Sequence, residues 1–101
     1  MYNADDKIIT DLLVGWHCIE RDLYRAEYPS LPDYDVAYAK TAKQRRKYIC
    51  LDDGGSGAFV VDRQTGEIYR VKAYGAPNKK KLVGNIANIT PAVLASYSWL
   101  S

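Results

Sequence analysis

Cysteine and histidine are scarce in this sequence, and the chain therefore lacks the ligands that most metal and nucleophilic sites need. There are two cysteines, Cys18 and Cys50, and one histidine, His17. A structural zinc site needs four such ligands, usually in close pairs, and secreted disulfide scaffolds are denser in cysteine. We therefore expect two reduced thiols that behave as small core residues, with no metal and no cofactor.

Long hydrophobic runs and the features of a signal peptide are also lacking. No apolar stretch approaches the roughly 20 residues of a membrane span. Residues 1–6 carry neither the basic nor the apolar region of a secretory signal. At 101 residues the chain has the length of one ordinary domain. We expect a single domain over residues 1–101, without a membrane partner.

What the sequence does contain is an uneven distribution of charge. Residues 1–35 hold eight acidic and three basic side chains, whereas residues 36–101 hold four acidic and eleven basic ones. The net charges are −5 and +7. Either the two halves attract each other, or the basic half faces an external polyanion.

The apolar pattern predicts an α+β fold: an N-terminal amphipathic helix on a three-stranded antiparallel meander, followed by a short C-terminal helix. Helical spacing of apolar residues over 5–27 predicts the first helix, capped at Asn3, with Glu20 off its apolar stripe and a close contact at Gly15. Residues 28–39 are a connector, in which Tyr34, Val36 and Tyr38 alternate as in an edge strand. Strands are predicted at 47–52, 58–61 and 67–72, a basic loop at 74–85 and a helix at 91–99.

Part of the chain resembles small proteins encoded in bacteriophage genomes. The resemblance is carried by Lys47-Tyr48-Ile49, by the hairpin sequence from Val61 to Tyr69 (VDRQTGEIY), and by Gly84-Asn85-Ile86. It covers about 40 residues, from 47 to 86. The resemblance implies phage origin and action in the cytoplasm of a bacterial host. It implies no activity, so it transfers no catalytic residue.

Groups that could act as catalysts have simpler structural roles. Asp52, Asp53 and Asp62 lie beside glycines, where hairpin turns require Asp and Gly. His17 and Cys18 are neighbours on a helix and point about 100° apart, so they do not face each other. No acid, base and nucleophile come together in the sequence, and we expect a protein that is not an enzyme.

Basic residues interleaved with tyrosine are the strongest functional signal. Cations beside aromatic rings suit a surface that binds phosphates and stacks bases. We expect a non-enzymatic protein that binds DNA or RNA. The alternatives are a protein-binding inhibitor of a host defence system, such as an anti-CRISPR protein, and a minor virion component; the oligomeric state stays open. The candidate binding residues are Lys40, Lys43, Arg45, Arg46, Lys47, Arg70, Lys72, Tyr74, Lys79, Lys80 and Lys81.

The predicted meander places the two lysine-rich clusters at opposite ends of the sheet. Residues 40–47 precede the first predicted strand, and residues 79–81 follow the third. We therefore expect the clusters to join along a face of the sheet, through Arg70 and Lys72.

Overall fold

A computed structural model of the protein describes residues 1–30, 39–54 and 56–99. Two helices and five strands form in these ranges, and the strands pair in sequence order as one antiparallel sheet. The predicted α+β class is confirmed. The helices are α1 (Lys7–Glu27) and α2 (Pro91–Trp99), and the strands are β1 (Lys40–Gln44), β2 (Tyr48–Asp53), β3 (Ser56–Asp62), β4 (Glu67–Ala73) and β5 (Ala76–Asn85).

The predicted number of strands was wrong, because the sheet has five strands rather than three. The three predicted strands are β2, β3 and β4. β1 lies in the basic run before them, and β5 occupies the segment predicted as a basic loop. Both are edge strands rich in lysine, a residue of low strand propensity. Their side chains therefore do not show the alternation that predicts a strand, and the strands form through backbone pairing with their neighbours. The predicted strand alternation at Tyr34, Val36 and Tyr38 falls outside the described residues.

The first helix begins later than predicted, and its buried stripe includes Glu20 in addition to predicted apolar residues. Asp6 is the N-cap residue, and its carboxylate accepts a hydrogen bond from the Asn3 backbone N–H at 2.8 Å. Its buried positions are Ile9, Leu12, Trp16 and Glu20. Glu20 was predicted to face solvent, but it follows Trp16 by four residues and therefore lies on the same helix face.

Both helices cover one face of the sheet. Trp16 is fully buried there, and its ring meets Phe59 of β3 edge to face, with centroids 5.3 Å apart. Leu94 and Ala95 of α2 belong to the same core cluster. Gly15 allows α1 to approach α2 closely, because a Cβ at this position would lie 2.5 Å from Cγ of Pro91. The close contact predicted at Gly15 is therefore confirmed.

A buried ion pair ties α1 to the edge strand β1. The Lys40 ammonium lies 2.6 Å from Oε2 of Glu20 and 2.7 Å from Oδ1 of Asp53. The other carboxylate oxygen of Glu20 accepts a hydrogen bond from the Trp16 indole N–H at 2.8 Å. The charges of Glu20 and Lys40 therefore compensate each other inside the core.

None of the helices in the described ranges is both long enough and apolar enough to span a membrane.

Candidate nucleic-acid interface

The sheet face turned away from the helices carries most of the basic and aromatic groups of interest. Side chains alternate between faces along a strand. Ile49, Leu51 and Phe59 point to the helices, so their neighbours point the other way. Throughout, "outer face" means the side formed by Lys43, Arg45, Tyr48, Cys50, Asp52, Gly57, Val60, Tyr69, Val71, Tyr74 and Lys79. Within the described ranges, no helix packs over it.

Three consecutive lysines bulge out of β5. Tyr69 pairs with Leu82, whereas the next residue of β4, Arg70, pairs with Asn78. An advance of one residue along β4 therefore corresponds to four residues along β5. The three extra residues, which we name the lysine bulge, are Lys79, Lys80 and Lys81. The Asn78 side chain accepts a hydrogen bond from the Lys80 backbone N–H at 3.2 Å. The bulge places three consecutive exposed lysines at one position on the sheet.

Lys79 folds back over the outer face. Its ammonium lies 4.9 Å from the centroid of the Tyr69 ring and 5.7 Å from that of Tyr48, both within cation–π range. The Tyr69 hydroxyl donates to Oε2 of Glu67 at 2.9 Å. This hydrogen bond is the main reason that the pKa of Tyr69 is raised, and burial adds to it. Tyr69 is only 7% exposed, so Lys79 and its surroundings cover it.

Tyr74 lies across the outer face from the β4–β5 turn. Its hydroxyl donates to Oδ2 of Asp52 at 2.9 Å, which raises the pKa of Tyr74. Its ring lies against Gly57, where an added Cβ would be 3.1 Å from the ring carbon Cδ2. The Arg45 guanidinium carbon is 5.3 Å from the ring centroid. Tyr74 is nevertheless 49% exposed, so it is a fixed but accessible aromatic ring.

The β1–β2 turn carries Arg45, Arg46 and Lys47, and Arg63 holds it in place. The Arg63 guanidinium donates to the backbone carbonyls of Arg45 and Arg46 at 3.1 and 3.0 Å. It also donates to the carbonyl of Tyr2 at 2.9 Å and to Oδ1 of Asn3 at 2.6 Å. Arg46 and Lys47 line a cleft together with Tyr48 and Asp62, so this turn is continuous with the outer face.

Three of the predicted binding residues lie away from the outer face. The Lys40 ammonium is buried in its pairs with Glu20 and Asp53. Arg70 pairs with Phe59 on the helix-covered side, and its guanidinium donates to the Tyr97 carbonyl at 2.8 Å. Lys72, two residues further along β4, falls on the same side by alternation. On the outer face Arg45 lies over Tyr74, and Lys79 lies over Tyr48 and Tyr69. The predicted link through Arg70 and Lys72 was therefore wrong.

The charge asymmetry of the sequence becomes a partial separation between two sides of the molecule, because Asp62 and Glu67 still lie on the outer face. Exposed acids of α1, including Asp11, Asp22 and Glu27, lie on the helix side. In the ranges that the structure describes, Lys40 is the one base of the later half that forms an ion pair with an acid of α1. No ion pair involves the remaining predicted cations among the described residues, namely Lys43, Arg45, Arg46, Lys47, Arg70, Lys72, Lys79, Lys80 and Lys81.

Sequence reasoning missed two residues that shape this surface. Asp52 was interpreted as a turn residue, but it is 6% exposed and anchors Tyr74. Arg63 follows Asp62 in what the sequence shows as an ordinary hairpin turn, whereas its guanidinium reaches the N-terminal segment and the β1–β2 turn. The contacts of both residues join positions that are distant in the sequence, so local residue spacing does not predict them.

Across the described ranges, no three histidine, cysteine or acidic side chains come close enough together to hold a metal ion. Cys18 and Cys50 are free thiols, the first partly buried and the second buried on the outer face.

No protein-family model matches the chain, and comparison with curated proteins and with solved structures found no match.

Proposed function

We propose that the protein is a non-enzymatic accessory protein that binds DNA or RNA through the outer face and the cations that border it. One observation carries the proposal: cations without acidic partners surround three tyrosines on the sheet face that the helices leave open. Phage origin and action in the cytoplasm of a bacterial host, which the sequence resemblance implies, belong to the same proposal.

The electrostatics support a polyanion as the ligand. Cations that are already paired with carboxylates contribute little to phosphate binding, because a phosphate would have to displace the acid. The acids of α1 lie behind the sheet, and on the outer face Asp52 and Glu67 accept hydrogen bonds from tyrosine hydroxyls rather than pairing with the cations. Arg45, Arg46 and Lys47 at the turn and the lysine bulge border this face without acidic partners among the described residues. A phosphate backbone could therefore contact both groups in one binding event.

The test measures affinity for DNA and RNA oligonucleotides over a series of salt concentrations. Log affinity should fall linearly with log salt, with about −0.7 to −0.9 of slope for each phosphate neutralised. Replacing Arg45, Arg46 and Lys47 together by alanine should weaken binding for all sequences and reduce the slope by roughly 1 for each phosphate that is no longer neutralised. Alanine at Lys79, Lys80 and Lys81 should act in the same way.

A matched control removes cations from the other side of the molecule. Lys7 and Arg25 lie on α1 and are exposed, so Lys7→Ala with Arg25→Ala lowers the net charge without touching the outer face. This double variant should keep most of the affinity and nearly all of the slope, whereas Arg45→Ala with Arg46→Ala should reduce both. Equal reductions in the two double variants would contradict a defined interface. Absence of binding at low salt would direct the search to a host protein.

A further inference from the structure

We infer that the outer face takes single-stranded rather than duplex nucleic acid, with the ring of Tyr74 as the platform on which a base stacks. This inference rests on the proposed function and narrows it to one class of ligand. It depends on how Tyr74 is fixed, on where Lys79 lies, and on which elements the fold leaves available to enter a groove.

Tyr74 is held against the sheet, and the guanidinium of Arg45 lies over its ring. The ring packs against Gly57, and its hydroxyl is fixed by Asp52. The residue is 49% exposed, and Arg45, itself exposed, can move aside from the ring to admit a base. A base that stacks there meets a ring that is already ordered, so little side-chain entropy is lost on binding. Arg45 lies close enough to contact the same base or its phosphate.

Tyr48 offers a second aromatic position on the same face. Its ring is within 5.7 Å of the Lys79 ammonium, and the residue is partly exposed. Tyr48 and Asp52, the anchor of Tyr74, are four residues apart on β2, a distance of about 13 Å along a strand. Lys79 can exchange its contact with the rings for a phosphate when a base arrives. Two rings and the intervening cations therefore follow a strand-like path across the sheet.

Duplex DNA does not fit this arrangement well. Proteins that read a duplex insert a helix or a two-stranded ribbon into a groove. Both described helices lie behind the sheet, and α1 presents exposed carboxylates at Asp11, Asp22 and Glu27. Bases in a duplex are already stacked on one another, so exposed tyrosine rings gain nothing from them. Single strands offer free base faces, and stacking on aromatic side chains is their usual mode of recognition.

The test compares a mixed-sequence single strand of about 16 nucleotides, the upper end of the site size of small single-strand-binding domains, with the corresponding blunt duplex. We expect the wild-type protein to bind the single strand at least about tenfold more tightly at the same salt concentration. Tyr74→Leu should weaken single-strand binding by about 5- to 100-fold with an unchanged salt slope. Tyr74→Phe keeps the ring and should retain most of the affinity.

The matched control is Tyr28→Ala, which removes an exposed tyrosine at the end of α1, and it should leave binding unchanged. Circular dichroism melts establish that each variant is folded, and the wild-type comparison of single strand with duplex does not depend on any variant. Equal or tighter binding of the duplex would overturn this inference and leave the proposed function standing. Full affinity in Tyr74→Leu would overturn the stacking role. Binding of neither ligand would remove both proposals.

Discussion

The ammonium of Lys40 lies 2.6 Å from the carboxylate of Glu20, and the two side chains are 1% and 3% exposed. This pair joins the middle of α1 to the edge strand β1. Asp53 and the Trp16 indole complete its hydrogen bonds. A lysine that the sequence places in a basic run is therefore part of the core.

Removing one partner of this pair should be severely destabilising. Lys40→Met leaves the Glu20 carboxylate buried without its counter-charge, and such changes cost about 3–5 kcal/mol. Lys43→Met, on the same strand but exposed, should change the free energy of unfolding by less than about 0.5 kcal/mol. Urea unfolding followed by circular dichroism compares the two. A Lys40→Met protein as stable as Lys43→Met would show that the pair contributes no net stability.

Gly15→Ala should lower stability, although helix propensity alone predicts the opposite sign. Alanine is favoured over glycine inside a helix by about 1 kcal/mol. At this position, however, the new methyl group would lie 2.5 Å from Cγ of Pro91, and overpacking of this kind costs about 1–3 kcal/mol. Pro91→Gly removes Cγ and also Cβ, which would itself lie 2.9 Å from the new methyl group, so in that background Gly15→Ala should become neutral or stabilising. Thermal melts of the four proteins complete the cycle, and a stabilising effect in the wild-type background would refute the close contact.

Arg63→Lys should loosen the N-terminal segment and the β1–β2 turn together. A lysine keeps the charge but cannot donate to the carbonyls of Tyr2, Arg45 and Arg46 and to the Asn3 side chain at once. We expect faster hydrogen exchange at the amide of Tyr2, which in the wild-type protein donates a hydrogen bond to the backbone carbonyl of residue 63. Exchange of amides at the β3–β4 turn, such as Gly66, serves as the internal reference. Unchanged exchange at Tyr2 would mean that other contacts hold the segment.

The hydrogen bond between Tyr74 and Asp52 should make the protein less stable at high pH. It is the main reason that the pKa of Tyr74 exceeds the ordinary value of about 10. The native state then holds the phenol proton more tightly than the unfolded state. The stabilising effect is complete below about pH 10 and is lost as the pH rises through the native pKa.

This pH dependence can be measured against a matched variant. Tyr74→Phe has no phenol at this position, so it should lose less stability than the wild type between neutral pH and about pH 11. Asp52→Asn should bring the pKa of Tyr74 back toward its ordinary value, observed by NMR of carbon-13-labelled tyrosine. Parallel stability curves for wild type and Tyr74→Phe would contradict the assignment. Tyr69 titrates in both proteins and therefore cancels in the comparison.

Local signals in the sequence accounted for the central strands and their turns. The Asp62 carboxylate accepts hydrogen bonds from the backbone N–H groups of Gln64 and Thr65, and Gly66 has a φ of 81°, as predicted for this hairpin. The edge strands β1 and β5 were not predicted, because their exposed lysines do not alternate with apolar residues. Pairing with β2 and β4 forms these strands, and that information is not local.

The candidate site was predictable in composition but not in arrangement. Tyr74 and the lysine bulge stand out as aromatic and basic residues in the sequence. Which cations share a face depends on which side the helices cover, and for this reason Arg70 proved to lie with Phe59 and Tyr97. One feature of the sequence points to the burial of Lys40. Glu20 lies four residues after Trp16 and so falls on the buried stripe of α1, where its carboxylate needs a buried cation as a partner.

The lysine bulge also bears on how the length of this chain can change. Leu82 and Asn78 pair with consecutive residues of β4, and only residues 79–81 lie between them. Deleting those three residues would bring Leu82 directly after Asn78, with each side chain still on its present face. Insertions there would likewise leave both flanking ladders in register. The bulge is therefore a position in the sheet where we expect that segments can be removed or foreign peptides grafted while the fold is kept.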